Sequence, residues 1–211
     1  MKEFLASGKR GLVYKAVQKG REVCIKEKNP ESEAGITIQK ETKFLKIMNK
    51  QGIGPEFIKA DKDRIVMEFI QGERILDHLK RVNKTAIKKI LKKVLDQARI
   101  MDEIKINKFE LTNPYKHIII RNEEPIMIDF ERCRISEQPK NVTQTIQFFT
   151  STRMKCLLKE KDLLLNKEKL IKLAKEYKES YSKEKYEEIL KVIKQWNKQK
   201  LHFLSSIVLQ G

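Results

Sequence analysis

The stretch Pro125-Ile126-Met127-Ile128-Asp129-Phe130-Glu131 is the part of this 211-residue sequence that decides how the chain folds. Its apolar run Ile126-Met127-Ile128 follows an earlier apolar run, Ile118-Ile119-Ile120. The pair predicts a β-hairpin with Arg121-Asn122-Glu123-Glu124-Pro125 as the link. Asp129 comes directly after three apolar strand residues, and a carboxylate on such a rigid base can coordinate Mg²⁺. The alternative is an aspartate that ends the strand as a turn former.

The residues that precede this hairpin predict a β-rich region around one helix. Alternating or continuous apolar residues, with glycines at the turns, indicate five strands: 3–7, 11–18, 21–28, near 56–60 and near 64–69. A helix is predicted from Asn29-Pro30-Glu31 to about Lys50, because asparagine caps helices and proline suits the first turn. Gly52-Ile53-Gly54-Pro55 ends that helix.

The remainder of the chain is predicted to be mainly helical. Apolar residues between Ile87 and Ile104 recur at three- and four-residue steps, which is typical of a core-facing helix. A polar segment at 107–116 and a loop at 131–142 flank the hairpin. Asn166 and Ser182 are expected to cap two of the later helices. Those later helices are predicted at 143–158, 167–181 and 183–205.

Together these elements predict an α+β fold of two lobes. The N-lobe, residues 1–72, is small and mostly β with one helix. The C-lobe, residues 73–211, is helical and contains the hairpin. The sequence has no internal repeat and no low-complexity linker.

Two motifs in the N-lobe contain residues suited to binding an anion. Lys26 ends Val23-Cys24-Ile25-Lys26, and a lysine embedded in an apolar strand is costly unless a partner pairs it. The turn Gly8-Lys9-Arg10-Gly11-Leu12-Val13 precedes it, and Gly8 and Gly11 would let the backbone approach a phosphate closely. The alternatives are a lysine at a strand end and an ordinary hairpin turn.

Composition restricts the environment and the partners. The net charge is +17, and the three cysteines are odd in number and scattered, which favours a reducing cytosol. Neither a signal peptide nor a membrane span is recognisable, so a cytoplasmic protein is expected. The run from Lys80 to Lys93 contains seven basic residues and no acid. Such a face suits an anionic partner, RNA or a ribonucleoprotein, although a solvated lysine face is the alternative.

In their order along the chain, these motifs resemble those of protein kinases. Val23-Cys24-Ile25-Lys26 is similar to V-A-I-K, and Ile128-Asp129-Phe130 is similar to the D-F-G motif with Glu131 at the glycine. Glu110-Leu111 occupies the Asp-Leu position of the catalytic loop, 19 residues before Asp129. The second metal-ligand asparagine is missing, and His117 or Asn113 could replace it.

The resemblance is closer to a family of archaeal predicted serine/threonine protein kinases of the RIO-like lineage. It is carried by Glu110-Leu111 with Pro114 and Lys116-His117, by 125–131, and by Pro139-Lys140-Asn141-Val142-Thr143. The small kinase of the KEOPS tRNA-modification assembly is a related comparison. The resemblance covers roughly residues 1–150 and implies a bilobal kinase fold without a full activation segment or peptide-binding region.

The resemblance also implies a ligand and a set of binding residues. ATP is expected, with Gly8, Gly11 and Val13 in the glycine turn above it. Lys26 and Glu41 are implied on the phosphates, with Glu33 as the other candidate glutamate. Asp129 is implied as a Mg²⁺ ligand, and the backbone of Glu68 and Ile70 as the contact with adenine. His117 is the expected second metal ligand in place of the missing asparagine, with Asn113 as the alternative.

The implied activity is transfer of the γ-phosphoryl group of ATP to serine or threonine, with Glu110, Lys26 and Asp129 as the catalytic residues. An ATPase or pseudokinase module of an RNA-processing or tRNA-modifying assembly is the alternative. A small-molecule kinase is disfavoured, because nothing in the sequence indicates a large helical substrate insert. The protein substrate and the oligomeric state are not predicted.

Overall fold

The computed structural model of the chain describes residues 2–7, 11–29 and 37–195. The strands are β1 (Lys2–Ser7), β2 (Gly11–Gln18), β3 (Arg21–Lys28), β4 (Phe57–Ala60), β5 (Arg64–Glu68), β6 (Glu73–Arg74), β7 (Ile106–Asn107), β8 (Ile118–Arg121), β9 (Glu124–Met127) and β10 (Arg134–Ile135). The helices are α1 (Thr37–Asn49), α2 (Ile75–Arg81), α3 (Lys84–Glu103), α4 (Asn141–Phe149), α5 (Thr152–Glu160), α6 (Lys167–Ser180) and α7 (Lys183–Lys194). Two short 3₁₀ turns cover Phe109–Thr112 and Pro114–Lys116.

These elements divide between two compact units. The first contains residues 1–75 and 115–135, and the second contains residues 76–114 and 136–211. The first is a small antiparallel sheet with α1 and the hairpin, and the second is helical, so the α+β class is confirmed. The lobe boundary near Gly72 stays a prediction. Among the described residues, no helix combines the length and the apolar character that crossing a membrane requires.

The first unit is built on a five-stranded sheet with the order β1-β2-β3-β5-β4. All its neighbouring strands are antiparallel, and the five predicted strands match it within one or two residues at each end. Helix α1 packs against β3, β4 and β5 and buries Phe44, Leu45 and Met48. The predicted start of this helix, Asn29-Pro30-Glu31, falls mostly outside the described residues, as do Glu33 and Gly35.

The hairpin exists, but its turn is tighter than predicted. Strands β8 and β9 pair from Ile118↔Met127 to Arg121↔Glu124, so the loop is only Asn122-Glu123. Both loop residues have positive φ, 52° and 60°, as a type I′ turn requires. Pro125 therefore lies inside β9, which it can do because β9 is an edge strand of its sheet.

The second unit packs helices around the apolar side of α3. The predicted stripe is confirmed, with Ile87, Leu91, Val94, Leu95 and Ala98 all fully buried. The Asn83 side chain caps this helix by accepting a hydrogen bond from the N–H of Ala86. The predicted caps are also present: Asn166 caps α6 and Ser182 caps α7.

The prediction of a single helix at 143–158 is wrong, because two helices occupy this part of the chain. Helix α4 begins two residues earlier, at Asn141, and ends at Phe149. Ser151 then caps a new helix, α5, by accepting a hydrogen bond from the N–H of Met154. The predicted loop at 131–142 contains the short strand β10 and ends in the first residues of α4. The predicted helix end at 196–205 lies outside the described residues.

Gly54 is expected to be irreplaceable for a steric reason. It has a φ of +86°, and a Cβ there would lie 2.7 Å from Cε2 of the buried Phe130. Gly20 is the matched control, because it has a φ of +76° and a Cβ there would meet no atom within 4 Å. We expect Gly54→Ala to lower the free energy of unfolding by about 1–3 kcal/mol more than Gly20→Ala, as overpacking does. Urea unfolding of both variants measures this, and equal losses would contradict the clash.

Candidate functional site

Lys26 is the centre of a buried charge cluster in the first unit. Strand β3 carries Lys26, the middle of α1 carries Glu41, and Asp129 follows β9. The Lys26 Nζ lies 2.7 Å from a carboxylate oxygen of Glu41 and 3.3 Å from one of Asp129. Glu41 is only 2% exposed, so its charge is balanced inside the protein by the lysine. The structure therefore brings these three predicted residues together.

Glu131 is a fourth member of this cluster, and the sequence did not predict it. Its carboxylate lies 3.1 Å from the Lys26 Nζ. Oxygen atoms of Glu41, Asp129 and Glu131 all lie within 4.8 Å of one another, close enough to hold one cation. A signal for Glu131 was available, because a carboxylate replaces the expected glycine two residues after Asp129.

Lys26 and the carboxylates around it favour each other's charged forms, whereas burial opposes them. Burial by itself lowers the pKa of Lys26, but the carboxylates of Glu41, Asp129 and Glu131 outweigh it, and the net shift is upward. Burial also raises the pKa of Glu41, although Lys26 opposes this shift. Lys26 therefore keeps its proton at any physiological pH, and it offers a permanent positive charge to an anionic ligand.

Asp129 has an unusual backbone conformation and a histidine neighbour. Its φ is +65°, in the left-handed region, which aspartate tolerates better than most residues. Such conformations cluster at ligand sites, where they aim a side chain. The Nδ1 of His117 lies 3.7 Å from the Asp129 carboxylate, and the His117 carbonyl accepts the N–H of Ile128.

Gly11, the second glycine of the predicted turn, lies next to the Lys26 side chain. Gly11 begins β2, and a Cβ there would lie 3.0 Å from the Glu27 carbonyl and 3.4 Å from the Lys26 Cε. Val13 pairs directly with Lys26 across β2 and β3, so the two side chains share one face of the sheet. Gly8 lies outside the described residues.

The predicted adenine contact lies at the end of β5, where Glu68 is the last strand residue and Ile70 follows. Glu68 donates its backbone N–H to the Glu56 carbonyl at 2.8 Å, so a contact with adenine at Glu68 would use its carbonyl oxygen. A carboxylate oxygen of Glu68 lies 2.6 Å from a guanidinium nitrogen of Arg121. Partial burial by itself raises the pKa of Glu68, but the contact with Arg121 helps to make the net shift downward. Ile70 is 7% exposed.

Glu110 belongs to the second unit, in the 3₁₀ turn after β7. Its carboxylate lies 3.6 Å from the Nζ of Lys108, and the Lys108 side chain is fully buried. The Glu110 side chain is 11% exposed. Lys108 stands where kinases have the catalytic-loop histidine, but the sequence did not predict that it would be buried beside Glu110.

The sequence pattern of the RIO domain matches residues 9–146, well over half of the chain. The chain belongs to the RIO domain family. This is a family of atypical protein kinases, kinase-like phosphotransferases that generally bind ATP with Mg²⁺, so the resemblance to the RIO-like lineage and the kinase-like fold are confirmed. A search of curated proteins gives no match. Most of α4 lies within the RIO domain match, and α5, α6 and α7 lie outside it.

The RIO domain contains a second buried carboxylate, Asp102, near the end of α3. It is 4% exposed and accepts hydrogen bonds from the backbone N–H groups of Asn141 and Val142 and from the Asn141 side chain. Burial raises the pKa of Asp102 to about 6, against these hydrogen bonds, which lower it. A solvated aspartate has a pKa near 3.8.

This raised pKa predicts a pH-dependent contribution to stability. Between pH 4 and 6 the folded RIO domain binds more protons at Asp102 than the unfolded chain does. The contribution is therefore complete below about pH 4 and lost as the pH rises through 6. We expect the stability of wild type to fall by about 3 kcal/mol more than that of Asp102→Asn between pH 4 and 7. Urea unfolding across this range measures the difference, and parallel curves would contradict it.

Proposed function

We propose that this chain is an atypical protein kinase that transfers the γ-phosphoryl group of ATP to serine or threonine. The observation that supports this most is the Lys26–Glu41 ion pair beside Asp129. A lysine fixed by a buried glutamate offers one positive charge to a triphosphate, and a nearby aspartate can hold the metal ion. Gly11 and Val13, which lie beside Lys26, fit a phosphate-covering turn.

The carboxylates of this cluster fit Mg²⁺. The ion prefers oxygen ligands and is usually held by one or two carboxylates together with substrate phosphates. Glu41 is occupied by Lys26 and almost fully buried, so we assign Asp129 and Glu131 as the ligands. When bound, the ion neutralises charge on the phosphate oxygens. His117 remains a proposed ligand or an orienting neighbour of Asp129.

The reaction then needs little covalent chemistry from the protein. The acceptor hydroxyl oxygen forms a bond to the γ-phosphorus, and the bond between that phosphorus and the β–γ bridging oxygen breaks. ADP leaves with the bridging oxygen, and we assign the hydroxyl proton to the Glu110 carboxylate. Lys26 stays protonated and stabilises the negative charge on the phosphates. Lys108, 3.6 Å from Glu110, restrains this carboxylate.

Labelled ATP tests the proposal directly. The protein is incubated with γ-labelled ATP, Mg²⁺ and a peptide mixture whose only hydroxyl groups belong to serine and threonine. ADP and labelled peptide should appear together, and chelation of Mg²⁺ should stop both. A tyrosine-only mixture is the matched control and should stay unlabelled. If ADP and phosphate are released at equal rates with and without peptide, and no peptide is labelled, the protein is an ATPase and not a protein kinase.

A second candidate function is that of an ATPase or pseudokinase module of an RNA-processing or tRNA-modifying assembly. The lysines of α3 favour it, because they could contact RNA. Burial and the nearby charge of Lys84 lower the pKa of Lys88. A bound anion would offset this repulsion between the two lysines. Part of this face is already neutralised, however. Its ion pairs include Lys84–Asp162 and Lys92–Asp96 in α3, and Lys80–Asp77 in the neighbouring α2.

RNA binding through α3 should depend steeply on salt. Each phosphate neutralised by a lysine releases counterions, so the slope of log affinity against log salt reports the number of contacts. Changing Lys88, Lys89, Lys92 and Lys93 to Gln should flatten that slope by about 3 for a single strand. Fluorescence anisotropy with labelled RNA measures it. The control changes four α6 lysines instead: Lys167, Lys169, Lys172 and Lys175. Equal slopes in the two variants would mean that the α3 face is merely solvated.

A further inference from the structure

The start of α4 is fastened to the loop that carries Glu110. Asn141 is fully buried, and its side-chain oxygen accepts the backbone N–H of Lys108 at 2.8 Å. Its side-chain nitrogen donates to the Ile106 carbonyl at 2.6 Å. Next to it, the N–H of Lys140 donates to the Asn107 side chain at 2.6 Å. Three consecutive residues before Glu110, namely Ile106, Asn107 and Lys108, are thus held by the N-cap and the first residue of α4.

Asp102 fastens the first two residues of α4, Asn141 and Val142, to α3. One carboxylate oxygen of Asp102 accepts hydrogen bonds from the backbone N–H of Asn141, at 2.9 Å, and from its side-chain amide, at 2.8 Å. The other oxygen accepts a hydrogen bond of 3.1 Å from the backbone N–H of Val142. We call Asp102 and Asn141 the clamp. A buried hydrogen-bond network rigidifies the structure around it when each of its polar groups has a partner, because the low dielectric of the interior strengthens each hydrogen bond.

Two tyrosines of the α6 region complete the support of the clamp. The Tyr181 hydroxyl donates a hydrogen bond of 2.8 Å to the carbonyl of Pro139, two residues before Asn141 of the clamp. Tyr181 has a φ of +52°, a left-handed conformation that is costly for an aromatic residue and persists only where contacts enforce it.

Tyr177, one helical turn earlier, is 1% exposed and interacts with the Asp102 carboxylate. Burial and the charge of Asp102 raise the pKa of Tyr177, so it remains a neutral hydroxyl donor. Among the described residues, the Tyr177 hydroxyl makes no direct hydrogen bond like that of Tyr181 to Pro139, so its link to Asp102 is mainly electrostatic.

We propose that Tyr181 and Tyr177 are positioning residues that hold the Glu110 loop in place through the clamp. The inference rests on the proposed role of Glu110, and it assigns a function to α6, which lies outside the RIO domain match. Tyr181 contacts Pro139 and Tyr177 contacts Asp102, and neither residue belongs to the proposed ATP site. They set the position of the loop backbone at Lys108, two residues before Glu110. A catalytic group misplaced by about 1 Å can cost on the order of 100-fold in rate.

The test compares three tyrosine-to-phenylalanine variants, because phenylalanine keeps the ring packing and removes only the hydroxyl. Tyr181→Phe and the double variant Tyr177→Phe/Tyr181→Phe remove the support of the clamp. Tyr186→Phe is the matched control: its hydroxyl donates to Asp96 at 2.6 Å, and its ring packs 6.3 Å from that of Tyr177. Amide hydrogen exchange of Lys108 is read by NMR, and single-turnover phosphotransfer and the Kd of ATP are measured beside it.

The expected result separates rate from binding. In the double variant, exchange at Lys108 should rise about tenfold over Tyr186→Phe, as the loss of one hydrogen bond implies. The phosphotransfer rate should fall about tenfold or more, while the Kd of ATP changes less than twofold. Equal exchange at Lys108 in the double variant and in Tyr186→Phe would overturn the proposal. If wild type transfers no phosphate, the proposed function fails, and the exchange of Lys108 alone still decides whether the tyrosines position this loop.

Discussion

Asp129→Asn is expected to weaken Mg²⁺-dependent ATP binding by about 100-fold or more. The change keeps the size of the side chain and removes the charge that holds the metal ion and, through it, the triphosphate. The cluster should survive it, because Lys26 retains Glu41 at 2.7 Å and Glu131 at 3.1 Å. Calorimetry of ATP with Mg²⁺ and with a chelator separates the metal-dependent part of the affinity. Asp63→Asn, at an exposed position of the same unit, is the matched control.

Lys26→Met belongs to the same experiment and should behave differently. It removes a direct charge from the phosphates, so ATP affinity should fall about 10- to 100-fold with the chelator present as well. It also leaves the buried Glu41 without its positive partner, which should lower the melting temperature. Lys59→Met, at an exposed position of β4, controls for the change of residue type. Undiminished ATP affinity in both Asp129→Asn and Lys26→Met would remove the nucleotide-site assignment.

Glu110→Gln is the second variant with a large expected effect. It keeps the size of the side chain and removes the carboxylate, so single-turnover phosphotransfer should slow by at least about tenfold if the carboxylate accepts the hydroxyl proton. The Kd of ATP should stay unchanged, because the proposed phosphate and metal ligands all belong to the first unit. Glu160→Gln, at an exposed position of α5, is the control. Turnover of Glu110→Gln at the wild-type rate would exclude a catalytic role.

Glu110→Asp distinguishes a working loop from a displaced one. Aspartate is shorter by one methylene, about 1 Å of reach, and such a change can cost on the order of 100-fold in rate. A slower aspartate variant means that the loop is adjusted to glutamate, as the Lys108 contact at 3.6 Å and the clamp on Lys108 suggest. A markedly faster one means that the native loop is not adjusted for phosphotransfer, which favours an ATP-binding switch.

The residues around Lys26 illustrate how far the sequence alone reached. The kinase resemblance implied Lys26 and Glu41 at the phosphates and Asp129 at Mg²⁺, and the structure brings carboxylate oxygens of Glu41 and Asp129 within 2.7 and 3.3 Å of the Lys26 Nζ. The sequence showed Glu131 only as a departure from a glycine. That Glu131 turns back to Lys26, 105 residues earlier, depends on the conformation after β9, where Asp129 takes a positive φ. A pattern of residue types contains no information on that turn.

The lysine-rich run of α3 illustrates the same limit for charge. Residues 80–93 contain no acid, and a linear count made them a continuous positive face. Asp162, 78 residues away in the chain, lies 3.1 Å from Lys84. Ion pairs between distant segments form only when helices pack, so the free charge of a surface cannot be counted along the sequence.

Local structure was determined by the sequence itself. The strands of the first sheet follow from alternation and glycine turns, and the caps Asn166 and Ser182 bond to backbone three residues away. These patterns involve neighbours within one turn, so the chain needs no other part of itself to specify them. The tertiary structure alone decided the partners of Lys26 beyond Glu41 and the clamp between Asp102 and Asn141. Each of these depends on buried groups from distant segments satisfying one another, because an unpaired polar group in the interior is costly.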